Sequence, residues 1–356
     1  MSLPTTPAEV STDWLNQVLP PEARRGRQVI ALSCSDIGTG TGIFGQIARL
    51  GLTLDDGSPL SVVAKMPCTE PANLAVAQAL GLYAREISMF AEVVGRSPLT
   101  AAACYAAPTE PDGSFVLLLE DMGEAWDVGD QVVGATLDQA QRAVDALAAF
   151  HAHWWQHPDL DAMNWLPTQD APQYVAVVPG IYRAGLPVLE ANWADRLPAE
   201  ALDIARALAP RFEEITLRTA QGPNTVTHGD TRLDNIFFAR DGSGGVAFID
   251  FQLSLRARGV ADIAYLISNS VPHDIAREHW KSLLQRWLDG LARHGVRYDA
   301  DEASHHYREA ALYYLSGAMS LVGTFDAGND RGAAMIEAYV TRSLNHVVDC
   351  GAGQVL

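Results

Sequence analysis

The chain has 356 residues, 48% of them apolar and 19% charged, a composition that builds a folded core and excludes a disordered chain. Its formal net charge is −18, which opposes nucleic acid and anionic membrane surfaces and is compatible with neutral or cationic small ligands. Cys34, Cys68, Cys104 and Cys350 stand far apart with no CxxC pair, the N-terminus has no apolar signal core, and no stretch approaches the ~20 apolar residues that span a bilayer. A reduced, cytoplasmic setting is therefore expected.

In chain order, Thr6-Pro7-Ala8-Glu9 has the spacing of a capping box with Pro at the first helical position, and predicts a short helix through Trp14 and Leu19 that Pro20-Pro21 ends. Residues 29–37 read as a strand. A glycine cluster, a strand at 46–54, the turn Asp55-Asp56-Gly57-Ser58 and a strand at 60–66 follow, which is an antiparallel meander. Residues 72–94 read as one helix with Leu80, Tyr83, Ile87 and Phe90 on a shared face. A continuous apolar strand at 115–120 leads into Asp121-Met122-Gly123-Glu124, a connection between lobes. The second half is mainly helical. Residues 136–155 form an amphipathic helix with Thr136 and Gln139 as its capping box. Residues 158–200, rich in Pro, Trp and Tyr, give no readable period. Short strand-like runs at 226–239 and 246–251 surround a polar cluster, and three long helices are expected near 274–294, 301–325 and 330–349.

The polar cluster carries the chemistry. In His228-Gly229-Asp230-Thr231-Arg232-Leu233-Asp234-Asn235, an Asp is followed five residues later by an Asn. Phosphoryl transfer to an alcohol needs a carboxylate to accept the hydroxyl proton and oxygen ligands for Mg²⁺, and one loop supplies one of each. A second carboxylate has to reach the metal from elsewhere. Asp250, at the end of the apolar run Val246-Ala247-Phe248-Ile249, is mounted for that task. The run HGD-x4-N, strand, turn, strand, Ile-Asp-Phe is a specific arrangement, whereas an isolated acidic turn would be structural.

Upstream, Gly40, Gly42 and Gly45 make a GxGxxG with Ile47 two positions on. Dinucleotide-binding folds share that string, but theirs opens a helix. Residues 46–54 here read as a strand, so the loop is expected to join two strands and fold over phosphates. Lys65 ends the next strand, in Val62-Val63-Ala64-Lys65, where a lysine needs a partner. Glu86 on the following helix is the candidate, with Glu92 as the alternative.

These residues resemble the aminoglycoside phosphotransferase and choline kinase superfamily. Ile249-Asp250-Phe251-Gln252, the run from Leu147 to Trp155 (LAAFHAHWW) and Asp262-Ile263-Ala264-Tyr265-Leu266 look most like its ecdysteroid kinase-like branch. The resemblance implies an α+β, bilobal protein-kinase-like fold, with an antiparallel-sheet N-lobe over residues 1–122 and a mainly helical C-lobe over 123–356. It also implies ATP and Mg²⁺. Asp230 would be the base, Asn235 and Asp250 the metal ligands, and Lys65 with Glu86 the phosphate-side pair. Glu120 and Met122 join Gly40, Gly42 and Gly45 on the nucleotide side. Arg232 stands where protein kinases carry a lysine directed to the γ-phosphate. Asp262 is expected to brace the catalytic loop. Gly229 replaces the arginine of the protein-kinase HRD motif, which argues against a protein substrate. The partner is then a small hydroxylated molecule, sterol-like or another alcohol. An aminoglycoside is the alternative, and a non-catalytic nucleotide-binding pseudokinase is the rival of another class. Trp154, Trp155, Trp165, Tyr174, Tyr182, Tyr313 and Tyr314 are candidates to line the acceptor site or else core, and Asp159, Asp161 and Glu190 are the acids that a polycation would need.

Overall fold

The meander read between residues 29 and 66 is present in the computed structural model, which describes residues 3–37, 44–324 and 330–356. Strands β1 (Val29–Asp36), β2 (Gly45–Leu54) and β3 (Pro59–Pro67) pair antiparallel, with Ile47 opposite Lys65. Two later strands, β4 (Cys104–Ala106) and β5 (Leu117–Glu120), complete the sheet in the order β1-β2-β3-β5-β4. Period-two alternation turns Leu50, Leu52 and Leu54 of β2 and Val62, Ala64 and Met66 of β3 into one core with Trp14, Leu15 and Leu19. The chain divides into two compact units, Met1–Gly95 with Ala101–Trp126, and Arg96–Thr100 with Asp127–Leu356.

Two local expectations for the first unit are corrected. Thr6 makes no side-chain cap. Residues Pro7–Glu9 form a single tight turn in which the Glu9 carboxylate accepts from Thr5, and helix α1 (Thr12–Val18) starts instead at Ser11, whose Oγ accepts from the Trp14 amide. The helix read over 72–94 is broken. Helices α2 (Pro71–Ala79) and α3 (Leu82–Ser88) are separated at Gly81, whose φ of +65° only glycine adopts cheaply, and a wide turn over Met89–Val93 follows. The break shifts the phase, so that Leu82, Tyr83, Glu86, Met89 and Val93 are buried, while Ile87 and Phe90 lie only half inside.

The second unit is helical, as expected. Helix α4 (Leu137–His153) carries the reciprocal Thr136–Gln139 capping box. Residues 158–219, which gave no clear signal, hold α5 (Pro172–Trp193), α6 (Ala199–Leu208) and α7 (Phe212–Thr219). Pro179 and Pro187 lie inside α5 and hide its period. The polar cluster sits among four short strands, β6 (Thr225–Thr227), the hairpin of β7 (Ile236–Ala239) and β8 (Val246–Phe248), and β9 (Leu255–Ala257), which pairs with β6. Helix α8 (Val260–Tyr265) follows, then α9 (His273–Arg293), α10 (Ala300–Thr324) and α11 (Asp330–Asp349), the three long helices read from the sequence. Helices α5 and α10 cross at glycines: a Cβ on Gly185 would lie 2.2 Å from the Met319 carbonyl. Among the described residues no helix is long and apolar enough to cross a membrane.

Candidate active site

The HGD segment is held by one buried carboxylate. Asp262 on α8 accepts from the His228 amide at 2.7 Å, the Gly229 amide at 2.9 Å and His151 Nε2 at 3.0 Å. Trp287 Nε1 donates to the other nitrogen of His151 at 3.0 Å, so the imidazole proton sits on Nε2 and is given to Asp262. A fully buried carboxylate is thereby satisfied, as burial requires. The brace expected of Asp262 is what the geometry displays. His228 spans the loop: its Nδ1 accepts from the Asp230 amide, and its Nε2 donates to the Ile249 carbonyl at 2.9 Å. Gly229 has φ +81°, and a Cβ there would sit 2.0 Å from the Leu253 carbonyl, so the loop closes only with glycine.

Asp230, Asn235 and Asp250 are brought to one end of the β7–β8 hairpin. The Ile249 amide donates to the Asn235 carbonyl at 3.1 Å, one residue before Asp250. Asn235 Nδ2 donates to Asp230 Oδ2 and to the Asp230 carbonyl, each at 3.0 Å. Both amide hydrogens are thus engaged, and the carboxamide oxygen, the atom a hard cation takes, is turned the other way. Asp250 has φ +67° and ψ +70°, a left-handed conformation that costs a non-glycine residue about 1–2 kcal/mol. Such strain persists where surrounding structure fixes it and concentrates at functional sites.

Arg232 is half-buried, with its Nε 3.5 Å from Asp230 Oδ2. Burial works to lower its guanidinium, and the charges of Asp230 and Asp250 outweigh that, leaving it above its ordinary value. Asp234 faces elsewhere: its Oδ1 accepts from the Gln131 amide at 2.9 Å and from Arg331 at 3.2 Å. Sequence reasoning missed Tyr265, whose hydroxyl donates to Asp230 Oδ1 at 2.8 Å, and Gln131, whose carboxamide bridges the Leu233 amide and the Asn269 carbonyl. Tyr265 stands three residues after Asp262, in a segment whose likeness to the family was visible. Nothing in the sequence around Gln131 marks it.

In the first unit, Lys65 and Glu86 are paired and buried, Nζ to Oε2 at 2.7 Å and to Oε1 at 2.9 Å. The exposed Glu92 is not the partner. Gly45 packs on the same lysine: a Cβ there would lie 3.4 Å from Lys65 Cε. Gly40 and Gly42 lie outside the described residues. At the end of β5, the Glu120 carboxylate accepts from the Ala103 amide, and Met122 is buried.

The aromatic residues proposed for an acceptor wall are mostly core. Trp154 is fully buried with its Nε1 on Ser97 Oγ, Tyr182 gives its hydroxyl to the Ala205 carbonyl, and Tyr313 stacks on Phe212. Tyr314 reaches the HGD loop through Tyr265: its ring is edge-on to that of Tyr265 at 4.7 Å. The acids named for a polycation are each engaged by arginine: Asp159 by Arg96, Asp161 by Arg256 and Glu190 by Arg206.

The family model described as the ecdysteroid kinase-like family matches residues 42–297, most of the chain. The chain belongs to the ecdysteroid kinase-like family. This ecdysteroid kinase-like chain is similar in fold to the GDP and kanamycin complex of APH(2")-IIia, at 14% identity over 91% of this chain and 94% of that one, with a TM-score of 0.54. It is similar to the ethanolamine kinase of Plasmodium vivax, at 13% identity over 88% and 83% of the two chains and a TM-score of 0.52. The gentamicin complex of APH(2")-IIa matches at 11% identity over 92% and 95%, with a TM-score of 0.51. No curated protein matches the sequence. The fold of this ecdysteroid kinase-like protein is accordingly the bilobal, protein-kinase-like one, with an antiparallel sheet in one unit and mainly helices in the other.

Proposed function

We propose that this chain is an ATP- and Mg²⁺-dependent phosphotransferase that moves the γ-phosphate onto a hydroxyl of a small molecule. The observation that carries the reading is the joining of Asp230, Asn235 and Asp250 at one hairpin end, with Arg232 against the first. Asp230 takes the proton of the acceptor hydroxyl as its oxygen bonds to the γ-phosphorus, while the bond to the β–γ bridging oxygen breaks and ADP leaves. Arg232 supports charge on the transferred group. The Asn235 carboxamide oxygen and the Asp250 carboxylate fit a hard divalent cation that phosphate oxygens complete, and would hold Mg²⁺. Bound there, the metal neutralises charge on the phosphates. In the sheet unit, Lys65, steadied by Glu86, serves the α- and β-phosphates, with Gly40, Gly42, Gly45, Glu120 and Met122 on the nucleotide side. The division of labour assigns residues 1–122 to nucleotide and 123–356 to catalysis and acceptor.

Family membership and the paired state of Asp159, Asp161 and Glu190 favour a neutral sterol-like or other alcohol over an aminoglycoside. Base, metal ligands and lysine are all of the required type, which disfavours a pseudokinase. The test is mass spectrometry of a panel of hydroxylated compounds, sterols and kanamycin included, incubated with the protein, Mg²⁺ and ATP. Gain of one phosphate by a neutral alcohol supports the reading. Modification of kanamycin alone moves the chain to the antibiotic class, and ATP binding without transfer to any compound or to water makes it a pseudokinase.

A further inference from the structure

Asp230 is held from two sides by groups of very different origin. Asn235, from its own loop, takes Oδ2, and Tyr265, from α8, takes Oδ1 at 2.8 Å. Helix α8 also supplies Asp262, which pins the His228 and Gly229 amides, and the Asp262 carbonyl, which accepts from Thr231 Oγ1 at 3.0 Å. Within one helical turn α8 therefore grips the loop backbone just before Asp230, the Thr231 hydroxyl just after it, and the Asp230 side chain itself. The Tyr265 ring is buried and has little freedom, set edge-on against Tyr314 at 4.7 Å and Tyr339 at 6.1 Å. Burial, and then the charge of Asp230, push its phenol well above its ordinary value, so the hydroxyl keeps its proton and remains a donor.

A carboxylate gripped at both oxygens does not turn about its terminal torsion, which is otherwise broad and soft. We propose that Tyr265 is a positioning residue for the transfer step, its hydroxyl fixing the rotation of the Asp230 carboxylate so that the Oδ2 edge beside Arg232 meets the acceptor hydroxyl. This rests on the reading of Asp230 as the base. It assigns Tyr265 no contact with substrate, and it gives the tyrosine at the end of α8 a task separate from packing.

The test compares Tyr265→Phe, Asp230→Asn and Tyr307→Phe in the full chain. Tyr307 is the control, a buried tyrosine whose hydroxyl meets His346 at 2.7 Å and not Asp230. Turnover is read as phosphate leaving Mg·ATP, with water or a responsive alcohol as acceptor, and is referred to the folded fraction. ATP affinity is measured separately by calorimetry. Removing one hydrogen bond to an ionised group predicts a kcat about ten- to a hundredfold lower for Tyr265→Phe, with ATP affinity unchanged. Tyr307→Phe should retain wild-type kcat. If Tyr265→Phe loses no more kcat than Tyr307→Phe while Asp230→Asn is crippled, Tyr265 is packing and this inference fails alone. If Asp230→Asn turns over like wild type, or the wild-type chain releases no phosphate with any acceptor, the reading of the site fails and this inference with it.

Discussion

The glycine of the HGD triplet shows how one residue sets the shape of its loop. Protein kinases carry arginine at the equivalent of Gly229, whereas here a positive φ and the Leu253 carbonyl, 2.0 Å from any added Cβ, leave no room for a side chain. Left-handed strain of about 1–2 kcal/mol together with a backbone clash predicts that Gly229→Ala destabilises the protein by about 3 kcal/mol or more. Urea denaturation measures it, and wild-type stability in that variant would mean that the loop has another shape. Asp230 and Asp234 make the same point about direction. They are four residues apart in one loop, yet one faces Asn235, Arg232 and Tyr265 while the other holds the Gln131 amide and Arg331. Sequence places both carboxylates in the loop but does not say which way either points, because a tight turn has no fixed period.

At the scale of elements, legibility followed periodicity. The β1–β3 meander and helices α9 to α11 were readable because their apolar residues repeat every two or about every 3.6 positions. Helix α5 was not, because two internal prolines mimic breaks, and the single helix expected over 72–94 was wrong in phase because Gly81 resets it. The candidate site was legible in its own loop, strand and helix motifs. What escaped were contacts from distant elements, Tyr265 from α8 and Gln131 from the segment ahead of α4, since long-range pairing leaves no local pattern. The Lys65–Glu86 pair joins β3 to α3 in a buried place, and this makes its test two-sided. Lys65→Met removes the cation that Glu86 holds in a buried ion pair and should cost about 3–5 kcal/mol. Adding Glu86→Leu should recover most of that stability in urea denaturation without restoring ATP turnover. Recovery of both would remove Lys65 from the phosphate site.

Across the whole molecule, two histidines tie folding to pH. Burial, then the neighbouring His273, lowers His346 to about 3, and burial, then Arg258, lowers His306 to about 4, from an ordinary value of 6.5. Both are held neutral when folded and take up protons when unfolded. Stability is therefore undiminished above pH 6.5 and falls as pH drops from 6.5 toward 4. With two such groups the slope approaches about 2.7 kcal/mol per pH unit in that window. Urea midpoints at pH 7, 6 and 5 check it, and a flat profile would mean that the two rings are accessible to protons in the fold. The proposed kinase chemistry rests on one carboxylate, and its loop neighbour supplies the control. Transfer of labelled γ-phosphate from ATP should be about 10²–10⁴-fold slower in Asp230→Asn, with ATP affinity little changed. It should stay near wild type in Asp234→Asn, whose carboxamide oxygen can still accept from the Gln131 amide. Equal transfer by all three proteins, or a crippled Asp234→Asn beside an active Asp230→Asn, would contradict the assignment of Asp230 as the base.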